Sequence, residues 1–277
     1  MIVKKLVFPF IFGLFCALQS AEAAERSLNF NFHLPGLRLN DGPPPAIKRY
    51  DGNRLRDDSL LMVYYHDLSV AVVELGPKKL LLNCNIIEIY SPTDVDKAMG
   101  PLVDKTTPVP INFNEMVHLM DQCVQLERMK RRHRTGVSQQ SEEERKNFTT
   151  RVEEAKAIIN SQLVLLSGII PGTKWCGTGD IAKNYHDLGE DVSTDMCCRN
   201  HDLCPVKIRA YSKKYNLNND SLYTKSHCTC DDIFHKCMKM QRTKSAQILG
   251  HIYFNLVKVP CLEDREEGKI FRKAKEF

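Results

Sequence analysis

A chain of 277 residues with 43% hydrophobic and 26% charged side chains, a formal charge of +5 and a mean hydropathy of −0.33 has an ordinary globular composition. That balance excludes a polytopic membrane protein and a wholly disordered chain. Eleven cysteines are too few at this length for a pure disulfide miniprotein and too many to ignore, and eight of them fall between Cys176 and Cys261.

At the N-terminus Lys4 and Lys5 precede an apolar run from Leu6 to Leu18 and a small-residue pattern, Ala21-Glu22-Ala23. This is the form of a secretory signal peptide over residues 1–23. The run falls short of the roughly 20 residues a membrane-spanning helix needs. Loss of the leader removes Cys16 and leaves ten cysteines in an oxidising compartment, so a secreted chain with disulfides is expected.

Residues 25–58, with Pro35, Gly36, Gly42 and Pro43 to Pro45, read as a flexible arm. Segments 60–65, 69–75 and 79–90 are rich in Val, Ile, Leu and Tyr, and Gly76-Pro77 marks a turn, so a small antiparallel sheet is expected across 60–90. Asn114 to Met129 and Ser141 to Leu166 read as helices, the second opening on Ser141 and three Glu residues. Between them a basic linker, residues 128–140, has the look of a site for a processing protease. Residues 24–166 are therefore expected to be an α+β pro-region or accessory domain, in which Cys84 and Cys123 are free to pair. Asn147 and Asn219 head glycosylation sequons.

The cysteine-rich block, residues 167–277, carries 18 basic and 14 acidic side chains. Its positive excess suits an anionic lipid surface, while the absence of a basic stripe with interleaved aromatics argues against a nucleic-acid partner. Cys197 and Cys204 are seven residues apart, as are Cys230 and Cys237, which puts each pair on one face of a helix. In two antiparallel helices the contacting residues keep a constant index sum. That condition pairs Cys197 with Cys237 and Cys204 with Cys230, across helices at about 193–211 and 228–243. Ser193 or Thr194 would cap the first helix, and Pro205 would kink or end it. A Cys/His zinc site is the competing use of these ligands, and the oxidising compartment argues against it. Joining Cys198 to Cys176 would draw the loop Trp175 to Gly179 onto Asp202, and Cys228 with Cys261 follows by elimination. Apolar residues at helical spacing from Ile248 to Val257 predict a third helix.

On the first helix His201 shares the face of Cys197 and Cys204, toward Asp231 at the start of the second. Such a histidine is a base held in one tautomer. Asp202 faces the loop instead, where Gly177 and Gly179 allow main-chain carbonyls to turn inward and complete an all-oxygen site of the kind calcium requires. A cation beside a histidine base fits ester hydrolysis by water. The fold class that follows is mainly α: a disulfide-stapled antiparallel helix pair with a calcium-binding loop and a third helix, preceded by a small α+β pro-region.

The run IIPGTKWCGTGD, the helix motif STDMCCRNHDLCP, the CTCDD motif and IYFNL together resemble the secreted phospholipases A2 of group III, the bee-venom type, over Ile169 to Cys261. The resemblance implies that His201 activates a water for attack on the sn-2 ester of a glycerophospholipid, with Asp231 orienting it and Tyr253 supporting the pair. It places calcium on the carbonyls of Trp175, Gly177 and Gly179 and the carboxylate of Asp202, with the Gly177 amide as a second donor to the oxyanion. It implies a monomer that works at a phospholipid membrane surface. The extra C-terminal disulfide of the venom-type enzymes is missing, which implies a shorter, more open channel rim, and the region before Ile169 has no counterpart in the compact venom domain. A catalytically silent module of the same shape, engaging a receptor or lipid, is the alternative.

Overall fold

The computed structural model describes residues 47–91, 94–102, 106–135 and 168–277. The signal peptide, most of the proline-rich arm, the linker beyond Thr135, the expected helix at 141–166 and the Asn147 sequon lie outside the described residues.

Three strands, β1 (Leu60–His66), β2 (Ser69–Leu75) and β3 (Leu81–Glu88), form an antiparallel meander, and β4 (Val109–Pro110) adds in parallel to β1, giving the order β3-β2-β1-β4. The central strand SVAVVEL has no polar alternation because both faces of β2 are covered. With a period of two, Val70 and Val72 face Val63 and Ile87 under the short helix α1 (Val95–Met99). Ala71 and Val73 face the other way, with Cys84 and Ile86, under α2 (Phe113–Thr135). Glu74 is buried among them, and its carboxylate accepts from Leu55 N, Arg56 N and Ser59 Oγ. Met116, Met120 and Cys123 recur on one face of α2, and Cys123 bonds to Cys84, so the helix is stapled to the sheet.

The C-terminal block holds α3 (Val192–Asp202), β5 (Lys207–Ile208), β6 (Ser212–Lys214), β7 (Leu217–Asn219), β8 (Lys225–Ser226) and α4 (Cys228–Met240). Helix α5 (Lys244–Gly250), a π-helical segment His251–Val257, and the hairpin of β9 (Cys261–Arg265) and β10 (Gly268–Arg272) complete it. The third helix is thus present as an α-helix that widens to π around Tyr253. The first is shorter than its spacing predicts. Leu203 caps it and Pro205 cannot continue it, so residues 207–226 turn back in two small ribbons, β5 with β8 and β6 with β7. The β6–β7 turn, Tyr215-Asn216, has positive φ at both residues (54° and 60°), the twist-matched hairpin turn, here built without the glycine that would have announced it. The N-cap is Asp191, whose carboxylate accepts from Thr194 N at 3.2 Å, rather than Ser193 or Thr194. The sheet expected across 60–90 is present, and among the described residues the C-terminal block adds three two-stranded ribbons to its helices.

One apolar cluster joins Ala71, Val73, Ile86, Met116 and Met120 to Trp175, Leu203, Phe234 and Met238. Residues 46–277 accordingly group as one unit. Among the described residues no helix is long and apolar enough to cross a membrane.

Candidate active site

Helices α3 and α4 lie side by side, bridged by Cys197–Cys237 and Cys204–Cys230, with Cα separations of 5.8 and 6.1 Å. Cys176–Cys198 ties the glycine loop to α3, and Cys228–Cys261 ties the start of α4 to β9. Ring closure of this kind removes unfolded-state freedom and so favours the folded block.

His201 projects from α3 toward α4, and its Nε2 donates to Asp231 Oδ1 at 2.8 Å. Phe234, one turn further along α4, stacks on the imidazole with centroids 4.5 Å apart. The Tyr253 hydroxyl donates to Asp231 at 3.3 Å and lies 3.5 Å from His201 Nε2, which brings the π-helical segment into the same cluster. With Nε2 occupied, Nδ1 is the free basic nitrogen. It points to Asp202, 3.9 Å away. Burial alone would lower the His201 pKa, but the charges of Asp202 and Asp231 and the hydrogen bond to Asp231 outweigh it and raise it to about 9. Burial pushes the Asp202 carboxyl up to about 6, against the pull of His201 and Lys207. Burial and the Asp231 charge hold the Tyr253 phenol well above its usual range.

The glycine loop is fixed by alternating main-chain bonds: Cys176 O accepts from Ile170 N, Lys174 O from Ile181 N and Gly168 O from Thr178 N, each at 2.8 Å. A Cβ on Gly177 would sit 1.9 Å from Gly168 O, so this position needs glycine for close approach of backbone, whereas Gly179, with φ +95°, needs it for conformation. Asp195, fully buried on α3, accepts from Trp175 N at 2.7 Å, Lys174 N at 3.0 Å and Gly189 N at 2.8 Å. It anchors the loop to the helix that carries His201 and Asp202. The sequence offers only an acid near a helix start, so neither Asp195 nor Phe234 stands out in it. The Trp175 indole N–H donates to Asp187 O at 2.9 Å.

One carboxylate oxygen, Asp202 Oδ2, is buried and has no hydrogen-bond partner among the described residues. Buried polar atoms are rarely left so, and a cation is the natural partner for an anionic oxygen beside a carbonyl-rich loop. Among the described residues no group of three or more His, Cys, Asp or Glu side chains is arranged to hold a metal ion by itself. The residues present fit calcium. Asn219, by contrast, does not fit a glycan: it is fully buried and its Nδ2 donates to Ile208 O, Arg209 O and Tyr223 O, so the folded chain uses this amide internally.

The phospholipase A2 family profile matches residues 169–265, the span that holds every residue of this cluster. The phospholipase A2 isozymes of Heloderma suspectum are 45% identical over 101 residues, covering 36% of this chain and 70% of the relative. A phospholipase A2 of Apis cerana cerana is 38% identical over 114 residues, 38% of this chain and 85% of the relative. The group 3 secretory phospholipase A2 of Bos taurus is 40% identical over 110 residues, and the chain covers 22% of its length. The match thus spans 70% and 85% of the first two of these relatives, and the chain belongs to the phospholipase A2 family.

Proposed function

We propose that the chain is a secreted, calcium-dependent phospholipase A2 that cleaves the sn-2 ester of glycerophospholipids to a fatty acid and a lysophospholipid. The observation that carries this reading is the His201–Asp231 pair at 2.8 Å beside an unpartnered buried Asp202 oxygen. Calcium would be held by Trp175, Gly177 and Gly179 carbonyls and Asp202, and would supply positive charge to the lipid phosphate and the ester oxygen. His201 Nδ1 takes a proton from water as the water oxygen bonds to the ester carbon. As the bond to the glycerol oxygen breaks, the same nitrogen returns the proton to that oxygen. Asp231 holds the tautomer that leaves Nδ1 free, and Tyr253 holds Asp231. The Gly177 amide is the second donor to the oxyanion.

A cation against Asp202 also settles the protonation problem, because positive charge there favours the carboxylate and the neutral imidazole over their protonated forms. A phospholipid surface fits the rim: Ile181 follows the glycine loop and Leu256 follows Tyr253, and they are 64% and 67% exposed. The chain would act as a monomer, with the basic linker as a point of proteolytic processing. Fatty-acid release from phosphatidylcholine vesicles, measured with calcium and again with excess EGTA, tests the reading. Release should be abolished by EGTA and restored by calcium; equal release in both would refute the calcium role, and none in either would refute the enzyme.

A further inference from the structure

The C-terminus of α3 is where the catalytic helix hands its backbone to the loop, and a helix end leaves carbonyls without partners. Two of them, at Asp202 and the cap Leu203, take side-chain donors from elsewhere in the fold. Ser69 Oγ, at the start of β2, donates to Leu203 O at 2.7 Å, and beyond the cap Leu68 N donates to Pro205 O at 3.2 Å. Asp202 O accepts from the Lys207 ammonium, whose side chain is 5% exposed. A cation is favourable at that pole of a helix. Yet the same cation lies beside the carboxylate assigned to calcium, and Lys207 is among the charges acting on Asp202.

The counter-charge comes from the accessory sheet. Glu88, at the end of β3, receives Lys207 at 2.8 Å and Arg209 at 2.5 Å on the same oxygen. Arg209 also donates to Ile89 O at 3.3 Å and lies over the Tyr90 ring at 4.0 Å, so the trio is fixed in place. We infer that Glu88 is a positioning residue for the calcium carboxylate: it orients Lys207 onto Asp202 O and neutralises a charge that would otherwise repel the cation. This rests on the calcium reading above. Its novelty is that a residue far outside the family-matched span tunes the metal site.

The test separates charge from scaffolding. Glu88→Gln leaves Lys207 and Arg209 as two uncompensated cations near the site. At these separations and an effective dielectric near 20, that should raise the calcium concentration for half-maximal activity by about tenfold. Calcium affinity measured by calorimetry should fall in parallel, and the loss of turnover should shrink as calcium is raised. The double variant Glu88→Gln, Arg209→Gln restores the net charge of the trio and should return the calcium requirement to within about threefold of wild type. An unchanged requirement in E88Q, or a double variant worse than the single, would overturn the inference. If the wild type itself shows no calcium dependence, the calcium reading fails instead, which the same titration reveals.

Discussion

His201 sits between two carboxylates, and the distances divide their work: Asp231 takes Nε2 at 2.8 Å, whereas Asp202 stands 3.9 Å from Nδ1, too far for a hydrogen bond and near enough to feel its charge. Removing the imidazole should therefore cost the proton transfer and little of the metal site. His201→Gln should abolish fatty-acid release while calorimetry finds calcium affinity within about threefold of wild type. Asp202→Asn should weaken calcium binding by about a hundredfold and carry activity down with it, because the amide keeps the shape and loses the charge. A His201→Gln protein that still hydrolyses lipid at the wild-type rate would remove His201 from the reaction. At this scale the sequence was informative wherever covalent spacing constrained it. The seven-residue cysteine intervals put His201 and Asp231 on facing surfaces, and those two do meet. Asp195 was hidden because a buried acid that collects three amide protons leaves no pattern along the chain.

Helix α2 lies against α3 with Met116 and Met120 in the shared core, and one buried ion pair joins them: Arg199 Nη2 to Glu127 Oε2 at 2.7 Å. The guanidinium is fully buried, donates also to Tyr185 O at 2.7 Å and lies over the Tyr185 ring at 3.9 Å. Removing one partner of such a pair strands the other charge, which costs about 3 kcal/mol. Glu127→Gln should therefore melt at a clearly lower temperature at neutral pH. Burial would raise the Glu127 pKa, but Arg199 and Arg131 outweigh it and hold it below the ordinary 4.5. A depressed carboxyl stabilises the fold above its unfolded pKa and loses that contribution as pH falls through the folded value. The wild type should thus lose melting temperature steeply below about pH 4.5, and the variant should lose less. Thermal melts of both at pH 7 and pH 3 check the sign, and parallel acid limbs would remove Glu127 as the cause. Elements with sustained periodicity, α2, α4 and β1 to β3, were legible in the sequence. The two-residue and three-residue strands were not, since a ribbon held by long-range partners and a glycine-free turn carries no local signal.

The disulfides divide the molecule as cleanly as the core unites it. Cys84–Cys123 closes within residues 47–135, and the other four bridges close within 168–277, so no cross-link joins the two stretches. Among the contacts that join them are the apolar cluster around Met120 and Trp175, the Glu127–Arg199 pair, the Glu88 trio, the bonds of Leu68 and Ser69 to Pro205 and Leu203, and Lys48, which reaches Asp180 at 2.7 Å beside the glycine loop. None of these contacts repeats along the chain, so none of them is legible as a sequence pattern. A single cut placed between Thr135 and Gly168 should then give two pieces that co-elute on gel filtration and separate on a non-reducing denaturing gel, with vesicle hydrolysis retained by the nicked pair. After separation in denaturant, the 168–277 piece alone should bind the apolar dye ANS and regain little activity, because the face of α3 that packs on α2 is then bare. If the N-terminal piece instead leaves on cutting and activity rises, residues 47–135 act as a removable inhibitor and the shared core is incidental to catalysis.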